Sequence, residues 1–160
     1  MKIRICVVII LFIAIGQFFG CAQAGRLKLE DKTYTFNRSD IVKEKGGRYR
    51  IWVWSYEPSL NYPFGSSPAG VQMLLPAGAS VGMICALDKD CKLWFREFWY
   101  LVGALSGGIW ENAESGMITL SVWDPEGEVV AGSFEAHTKK GPISGTFRVS
   151  PRTHDKNLMR

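Results

Sequence analysis

Apolar and polar residues alternate in three consecutive runs between residues 116 and 149. A repeat of two residues is typical of a strand that buries one face and exposes the other. Turn residues separate the runs at 124–127, which reads Asp-Pro-Glu-Gly, and at 139–142, which reads Lys-Lys-Gly-Pro. The pattern predicts an antiparallel three-stranded meander whose buried positions are Ile118, Leu120, Val122, Val130, Gly132, Phe134, Ala136, Ile143, Gly145, Phe147 and Val149.

Shorter runs of β-branched and aromatic residues precede the meander. Five of them are predicted strands: 34–36, 48–56, 71–75, 80–86 and 92–102, with a helix as the alternative for the last. Segment 37–42 is predicted as a turn or one helical turn, and 58–70, which is rich in proline, glycine and serine, as a long loop. We therefore predict an all-β fold, an antiparallel β-barrel or β-sandwich that ends in the meander.

Segment 48–56 carries apolar side chains on both of its faces. One parity holds Tyr49, Ile51 and Val53, and the other holds Trp52, Trp54 and Tyr56. A strand of this kind is either covered on both sides or presents an aromatic surface. Most of the six tryptophans are expected in the core, with Trp94 as a further candidate for an outer face. We predict a partner-binding face that consists of Trp52, Trp54, Tyr56, Tyr62 and Phe64.

The first 24 residues have the composition of an export signal. A basic start, Met1-Lys2-Ile3-Arg4, precedes an unbroken apolar run over 5–15, which is too short for a membrane-spanning helix. Two cleavage positions stay open: Ala22-Gln23-Ala24 fits a cut before Gly25, whereas Phe18-Phe19-Gly20-Cys21 resembles the lipobox of bacterial lipoproteins, in which Cys21 is lipid-modified. We predict a signal peptide over 1–24, one domain over 25–150 and a flexible tail over 151–160.

The leader and the Gly20-Cys21 junction resemble those of small bacterial exported proteins and lipoproteins. Segment 34–41, which reads Tyr-Thr-Phe-Asn-Arg-Ser-Asp-Ile, is similar to an opening strand and turn of some periplasmic β-rich proteins. These include immunity proteins that neutralise secreted toxins. The resemblance implies a binding role and a place in the periplasm or, through a lipid anchor, at the outer membrane; secretion is the alternative.

Four cysteines are present, of which Cys6 lies in the leader and Cys21 at its end. Cys85 and Cys91 remain as a pair, and an oxidising compartment allows them to form a disulfide. A redox or metal-binding pair is the alternative, but the spacing is not C-x-x-C and no histidine is near in sequence. We predict the structural disulfide.

Charge and motifs point away from several functions. Without residues 1–24 the net charge falls from +4 to +2, since only Lys2 and Arg4 are lost, and a nucleic-acid partner is not expected. No catalytic, metal or cofactor motif is found; Glu57, Glu97 and Glu111 are the candidates for a glycosidase acid/base pair. The predicted function is a non-catalytic protein-binding module, immunity- or inhibitor-like, with an unknown oligomeric state. The alternatives are a lipid or small-ligand carrier with a hollow barrel and a cell-wall hydrolase.

Overall fold

The computed structural model describes residues 23–55, 57–59, 62–66, 69–88, 90–97 and 110–153, and these residues form strands and turns without a helix. In particular, this part of the chain holds no helix of the length and hydrophobicity that crossing a membrane requires. The thirteen strands are β1 (Gly25–Leu29), β2 (Lys32–Phe36), β3 (Arg38–Lys43), β4 (Tyr49–Trp54), β5 (Glu57–Ser59), β6 (Tyr62–Ser66), β7 (Ala69–Leu75), β8 (Ile84–Ala86), β9 (Lys92–Glu97), β10 (Glu111–Asn112), β11 (Ser115–Asp124), β12 (Val129–Thr138) and β13 (Gly141–Val149).

Two antiparallel sheets make up the fold. The meander sheet has the order β2-β1-β13-β12-β11-β8, and the tryptophan sheet has the order β10-β9-β7-β4-β3. A separate hairpin consists of β5 and β6. Neither large sheet closes on itself, so of the two predicted architectures the structure is the β-sandwich and not the barrel. The all-β prediction is confirmed.

The core lies between the two sheets and follows from the alternation of their strands. Residues of the tryptophan sheet that face it include Ile51, Val53, Val71, Met73, Leu93 and Phe95, none of which has exposed surface. Across from them, the meander sheet contributes Leu27, Phe36, Ile118, Leu120, Phe134 and Phe147, which are at most 2% exposed. Each sheet thus buries one face, as sandwiches require.

The C-terminal meander is confirmed, with one correction in β11. The ladder between β11 and β12 shifts its register between Leu120 and Val122, which is the mark of a β-bulge. The extra residue reverses the parity of the rest of β11. Val122 is therefore 40% exposed instead of buried, and Trp123 packs against the core with its ring edge-on to Tyr49, 5.2 Å between ring centroids.

Two glycines in the meander make room for two phenylalanine rings. Gly132 lies opposite Phe147 in the β12–β13 ladder, and Phe134 lies opposite Gly145. A methyl group at Gly132 would come within 2.8 Å of the Phe147 ring, and one at Gly145 within 2.6 Å of the Phe134 ring. Each ring therefore covers the backbone of the neighbouring strand, which is the close packing that glycine in a strand permits.

Two predictions for the loops are wrong. Segment 37–42 forms no turn or helix: the chain leaves β2 at Phe36 and enters β3 of the other sheet at Arg38, and Asn37 donates its N–H to the Trp54 carbonyl at 3.1 Å. Segment 58–70 is not one long loop, because it contains most of the β5–β6 hairpin and the start of β7. The predicted strand over 92–102 is observed as far as Glu97, and the residues after it lie outside the described part.

Cys85 and Cys91 are at disulfide-bonding distance, with 6.1 Å between their Cα atoms, as the sequence predicts. Cys85 belongs to β8 at the edge of the meander sheet, and Cys91 directly precedes β9 in the tryptophan sheet. Cys91 has no exposed surface. The disulfide therefore joins the two sheets where the chain crosses between them.

The packed chain continues beyond β13. Thr153 is 2% exposed, its carbonyl accepts the Ser39 N–H at 2.8 Å, and the hydroxyls of the two residues are 2.7 Å apart. Ser39 lies in β3, the edge strand of the tryptophan sheet. The turn after β13 thus caps part of this edge, while residues 154–160 of the predicted tail are outside the described range.

Replacing Gly132 by alanine is expected to lower the free energy of unfolding by about 1–3 kcal/mol, because the new methyl group meets the Phe147 ring and the Thr119 carbonyl. Urea denaturation measures the change. Gly78→Ala is the matched control, since no atom lies within 4 Å of its Cβ position, and we expect a change within about 0.5 kcal/mol. Equal effects of the two substitutions would contradict this packing.

Replacing both Cys85 and Cys91 by alanine is expected to lower the free energy of unfolding by about 2 kcal/mol, the chain-entropy value for so short a loop. A reducing agent should destabilise the wild-type protein by a similar amount and leave the double variant unchanged. Thermal denaturation with and without reductant measures both effects. A wild-type protein that is insensitive to reductant would show that the two thiols are not joined.

Candidate functional site

Among the described residues, the outer face of the tryptophan sheet carries four tryptophans and several arginines. In β4 the residues Tyr49, Ile51 and Val53 are buried, so the alternate residues Arg50, Trp52 and Trp54 point away from the core and are half-buried. The same alternation in β9 turns Trp94 and Arg96 outward. We call this surface the Trp–Arg face, and it consists of Arg50, Trp52, Trp54, Trp94, Arg96 and Trp110.

Cross-strand register brings the aromatic residues together. Trp52 pairs with Gln72 of β7, and Gln72 pairs with Trp94 of β9, so the two tryptophans flank one glutamine in a row across the sheet. The guanidinium of Arg50 lies 5.8 Å from the Trp52 ring and 5.4 Å from the Trp94 ring. Distances of this size allow cation–π attraction, and Arg50 therefore links the two rings.

Glu44 holds Arg50 in this position. Its carboxylate accepts a hydrogen bond from Arg50 Nε and forms a second ion pair with Arg48, 3.7 Å long. The hydrogen bond from Arg50, together with the two arginine charges, lowers the pKa of Glu44 in spite of slight desolvation. Since the Arg50 side chain is only 24% exposed, it is a fixed part of the face and not a mobile surface cation.

A second aromatic cluster surrounds Gly70. Gly70 pairs with Trp54 on one side and Arg96 on the other, and it has no side chain to fill the space above it. A Cβ atom at this position would lie 3.5 Å from the Trp110 ring and 3.4 Å from Trp54. The Arg96 guanidinium lies 5.2 Å from the Trp110 ring. Trp110 thus covers the glycine and remains 36% exposed.

The predicted partner-binding residues are only partly described by the structure. Trp52 and Trp54 lie side by side on the outer face, as their parity predicts. Tyr56 lies outside the described residues; Tyr62 and Phe64 belong to β6, but their side chains are not described. Sequence reasoning missed Arg50, Arg96 and Trp110. The alternation of arginine with tryptophan in 48–54 and 92–97 is the signal that points to the two arginines, whereas nothing in the sequence around Trp110 points to this residue.

Among the side chains that the structure describes, cations outnumber anions on this face. The outward positions of β3, β4, β7 and β9 include Arg38, Arg50, Lys92 and Arg96, whereas Asp40, which is 5% exposed, is the acidic residue in the same rows. Glu44 adds one further negative charge at the rim. The face therefore combines large aromatic surfaces with a positive electrostatic potential.

Glu97 forms a separate polar cluster at one end of the sandwich. Its carboxylate accepts hydrogen bonds from the Tyr34 hydroxyl and from Lys32 Nζ, the latter at 3.3 Å, and both donors come from β2 of the other sheet. Lys140 Nζ lies 4.0 Å from Glu97 and 2.9 Å from Glu111. The cluster connects the two sheets with charges that are largely balanced.

The surroundings of Glu97 keep it ionised. Burial alone would raise its pKa, but the hydrogen bonds from Tyr34 and Lys32 and the charges of Lys32 and Lys140 outweigh this and lower it below 4.5. Burial, and then the hydrogen bond to this carboxylate, raises the pKa of the Tyr34 hydroxyl well above its ordinary value. Glu97 and Glu111 both contact Lys140 and so lie near each other, as a glycosidase pair must. The lowered pKa of Glu97, however, does not suit a general acid. Glu57 lies in β5, and its side chain is not described.

Two surface grooves lie away from the Trp–Arg face. One, of about 530 Å³, is lined by residues of the meander sheet that include Lys28, Glu135 and His137. The other, of about 470 Å³, is next to the first described residue and is lined by Gln23, Val129, Arg148, Ser150, Pro151 and Arg152. No group of three or more His, Cys, Asp or Glu side chains within the described ranges is arranged to hold a metal ion.

Replacing Glu97 by glutamine is expected to lower the free energy of unfolding by about 1.5–3 kcal/mol at pH 7, because the carboxylate is buried and accepts charge-assisted hydrogen bonds. A group with a lowered pKa contributes stability above its unfolded value and loses it as the pH falls through the folded one. The difference between the two proteins should therefore shrink below pH 4.5. Urea denaturation over pH 3–7 measures it.

Glu126→Gln is the matched control for Glu97→Gln. Glu126 also accepts hydrogen bonds from a lysine and a tyrosine, Lys43 and Tyr49, but its side chain is 76% exposed. Solvent screens this pair, so little change in stability is expected at any pH. A pH-independent effect of Glu97→Gln would contradict the role of its charge.

Comparison of the chain with models of known protein families, with curated proteins and with solved structures found no match in any of the three.

Proposed function

We propose that the protein is an exported, non-catalytic binding module, immunity- or inhibitor-like, that uses the Trp–Arg face to occupy a protein partner. The observation that carries this proposal is the joint position of Trp52, Trp94 and Arg50 on the outer face of a sheet whose inner face already forms the core. Tryptophan and arginine are the residues most enriched at the energetic centres of protein interfaces.

The side chains of the Trp–Arg face are held in place by contacts within the protein, which favours a preformed binding surface. Arg50 is fixed by Glu44 and lies 5.8 and 5.4 Å from two ring centroids, so little side-chain entropy is left to lose when a partner binds. The rings lie on a sheet, which holds them at fixed spacings. A flat, rigid aromatic surface of this kind suits another protein surface better than a small molecule, which needs a concave site.

Charge defines the partner further. Since cations outnumber anions among the described side chains of the Trp–Arg face and its flanks, a complementary partner presents an acidic surface. Electrostatic attraction would then speed up association, and salt would slow it down. This property separates the proposal from purely apolar docking, in which salt has little effect on the association rate.

The carrier hypothesis has less support. A carrier needs a cavity, whereas the described space between the sheets is filled by large side chains without exposed surface, such as Phe36, Phe95 and Met73. The hydrolase hypothesis would use Glu97 and Glu111, which lie on either side of Lys140. The two carboxylates share this one cation, which favours a structural role.

A photo-crosslinking residue at Gln72, in the centre of the Trp–Arg face, is expected to capture the partner in cells of the natural host. The same residue at Thr119, on the meander sheet, is the matched control and should capture nothing specific. With the captured protein purified, Trp52→Ala combined with Trp94→Ala should weaken binding by at least 2 kcal/mol, about thirtyfold in Kd. Calorimetry measures the affinity and stopped-flow fluorescence the salt dependence.

Met117→Ala combined with Ile84→Ala controls for the loss of exposed apolar surface. Met117 is 45% exposed and Ile84 67%, and both belong to the meander sheet. This variant should bind as the wild-type protein does. If the tryptophan variant keeps the fold, as judged by its thermal midpoint, and binds the partner with unchanged affinity, the Trp–Arg face is not the interface.

A further inference from the structure

Ala24 is an integral part of the fold. It has no exposed surface and belongs to the hydrophobic core. Its N–H donates to the Phe36 carbonyl at 2.8 Å, and its carbonyl accepts the Arg148 N–H at 2.7 Å. Ala24 therefore extends the ladders that β1 forms with β2 and β13 by one residue towards the N-terminus.

A cut between Ala24 and Gly25 would damage this arrangement. It would remove a buried methyl group and leave the Phe36 carbonyl and the Arg148 N–H without these partners. It would also create a charged ammonium group on Gly25, a residue that is itself buried. A charge in such a position is costly unless it is paired. The small-x-small sequence Ala22-Gln23-Ala24 thus lies partly within the folded domain.

The other cleavage position leaves the fold intact. Cutting before Cys21 keeps Ala24 and also Gln23, which is exposed and is the first described residue. We propose that the mature protein begins at Cys21 and that the thiol of this residue carries a diacylglyceryl group, so that the chain is processed as a lipoprotein and Ala24 remains in the sheet.

Lipid attachment to Cys21 and cleavage before it need only a membrane phospholipid and water. The Cys21 thiol displaces a glycerol phosphate group from an anionic diacylglycerol phospholipid: an S–C bond forms, a C–O bond breaks, and the thiol proton leaves with the released phosphate. Water then hydrolyses the Gly20–Cys21 peptide bond, which gives a carboxyl group on Gly20 and an amino group on Cys21.

A basic groove lies next to Gln23, the first described residue. Gln23, Arg148, Ser150 and Arg152 line it, and its lining contains two arginines and no acidic side chain. Two residues of extended chain span at most about 7 Å, so a lipid on Cys21 would be attached within this distance of Gln23.

Intact-mass spectrometry of the full chain, expressed with its own leader in a bacterium and extracted from the envelope, tests the proposal. The expected mass is that of residues 21–160 plus at least a diacylglyceryl group. Cys21→Ser should lose this lipid mass completely. Ala22→Leu, which disrupts only the small-x-small sequence, should be processed like the wild-type chain.

A mature chain that starts at Gly25 and carries no lipid would overturn the proposal, and so would a chain that keeps all 160 residues. The same holds if Ala22→Leu blocks processing. None of these results depends on the Trp–Arg face, so the two proposals stand or fall separately.

Discussion

The limited space between the two sheets determines most of this structure. On the meander sheet, Phe134 and Phe147 fit only because glycine lies opposite each of them in the neighbouring strand. Protein interiors are packed as densely as organic crystals. The three rings of Phe36, Phe134 and Phe147 therefore leave limited volume for the inward side chains of the tryptophan sheet. The tryptophan sheet therefore turns mainly aliphatic residues inward and its larger indoles outward.

The two ends of the sandwich show how the remaining openings are closed. At one end Glu97 accepts hydrogen bonds from β2 of the other sheet, and at the opposite edge Tyr49 and Lys43 bind Glu126 in the turn between β11 and β12. The Cys85–Cys91 disulfide adds a covalent connection where the chain crosses from one sheet to the other. The core supplies most of the stability, and these contacts fix how the sheets sit on each other.

Local patterns were enough to predict the meander, the inward face of β4 and the cysteine pair. They failed where non-local pairing decides the outcome. The bulge after Leu120 depends on the register with β12, and no feature of 118–123 alone reveals it. Segment 37–42 looks like a turn because Asn, Ser and Asp favour turns, but pairing with β4 makes it a strand. Only part of the Trp–Arg face could be predicted from the sequence. The two-residue repeat of β4 places Trp52 and Trp54 on one side, whereas the order of strands in the sheet is needed to place Trp94, Arg96 and Trp110 beside them.

The disulfide also holds β8 in place at the edge of the meander sheet. β8 has three residues and covers part of β11, a strand of ten residues that would otherwise form the border of the meander sheet. A long border of free N–H and C=O groups can recruit strands from other molecules. When the disulfide is reduced, the short strand loses its covalent connection to the tryptophan sheet, and release of β8 would open the border of β11 to strands of other molecules.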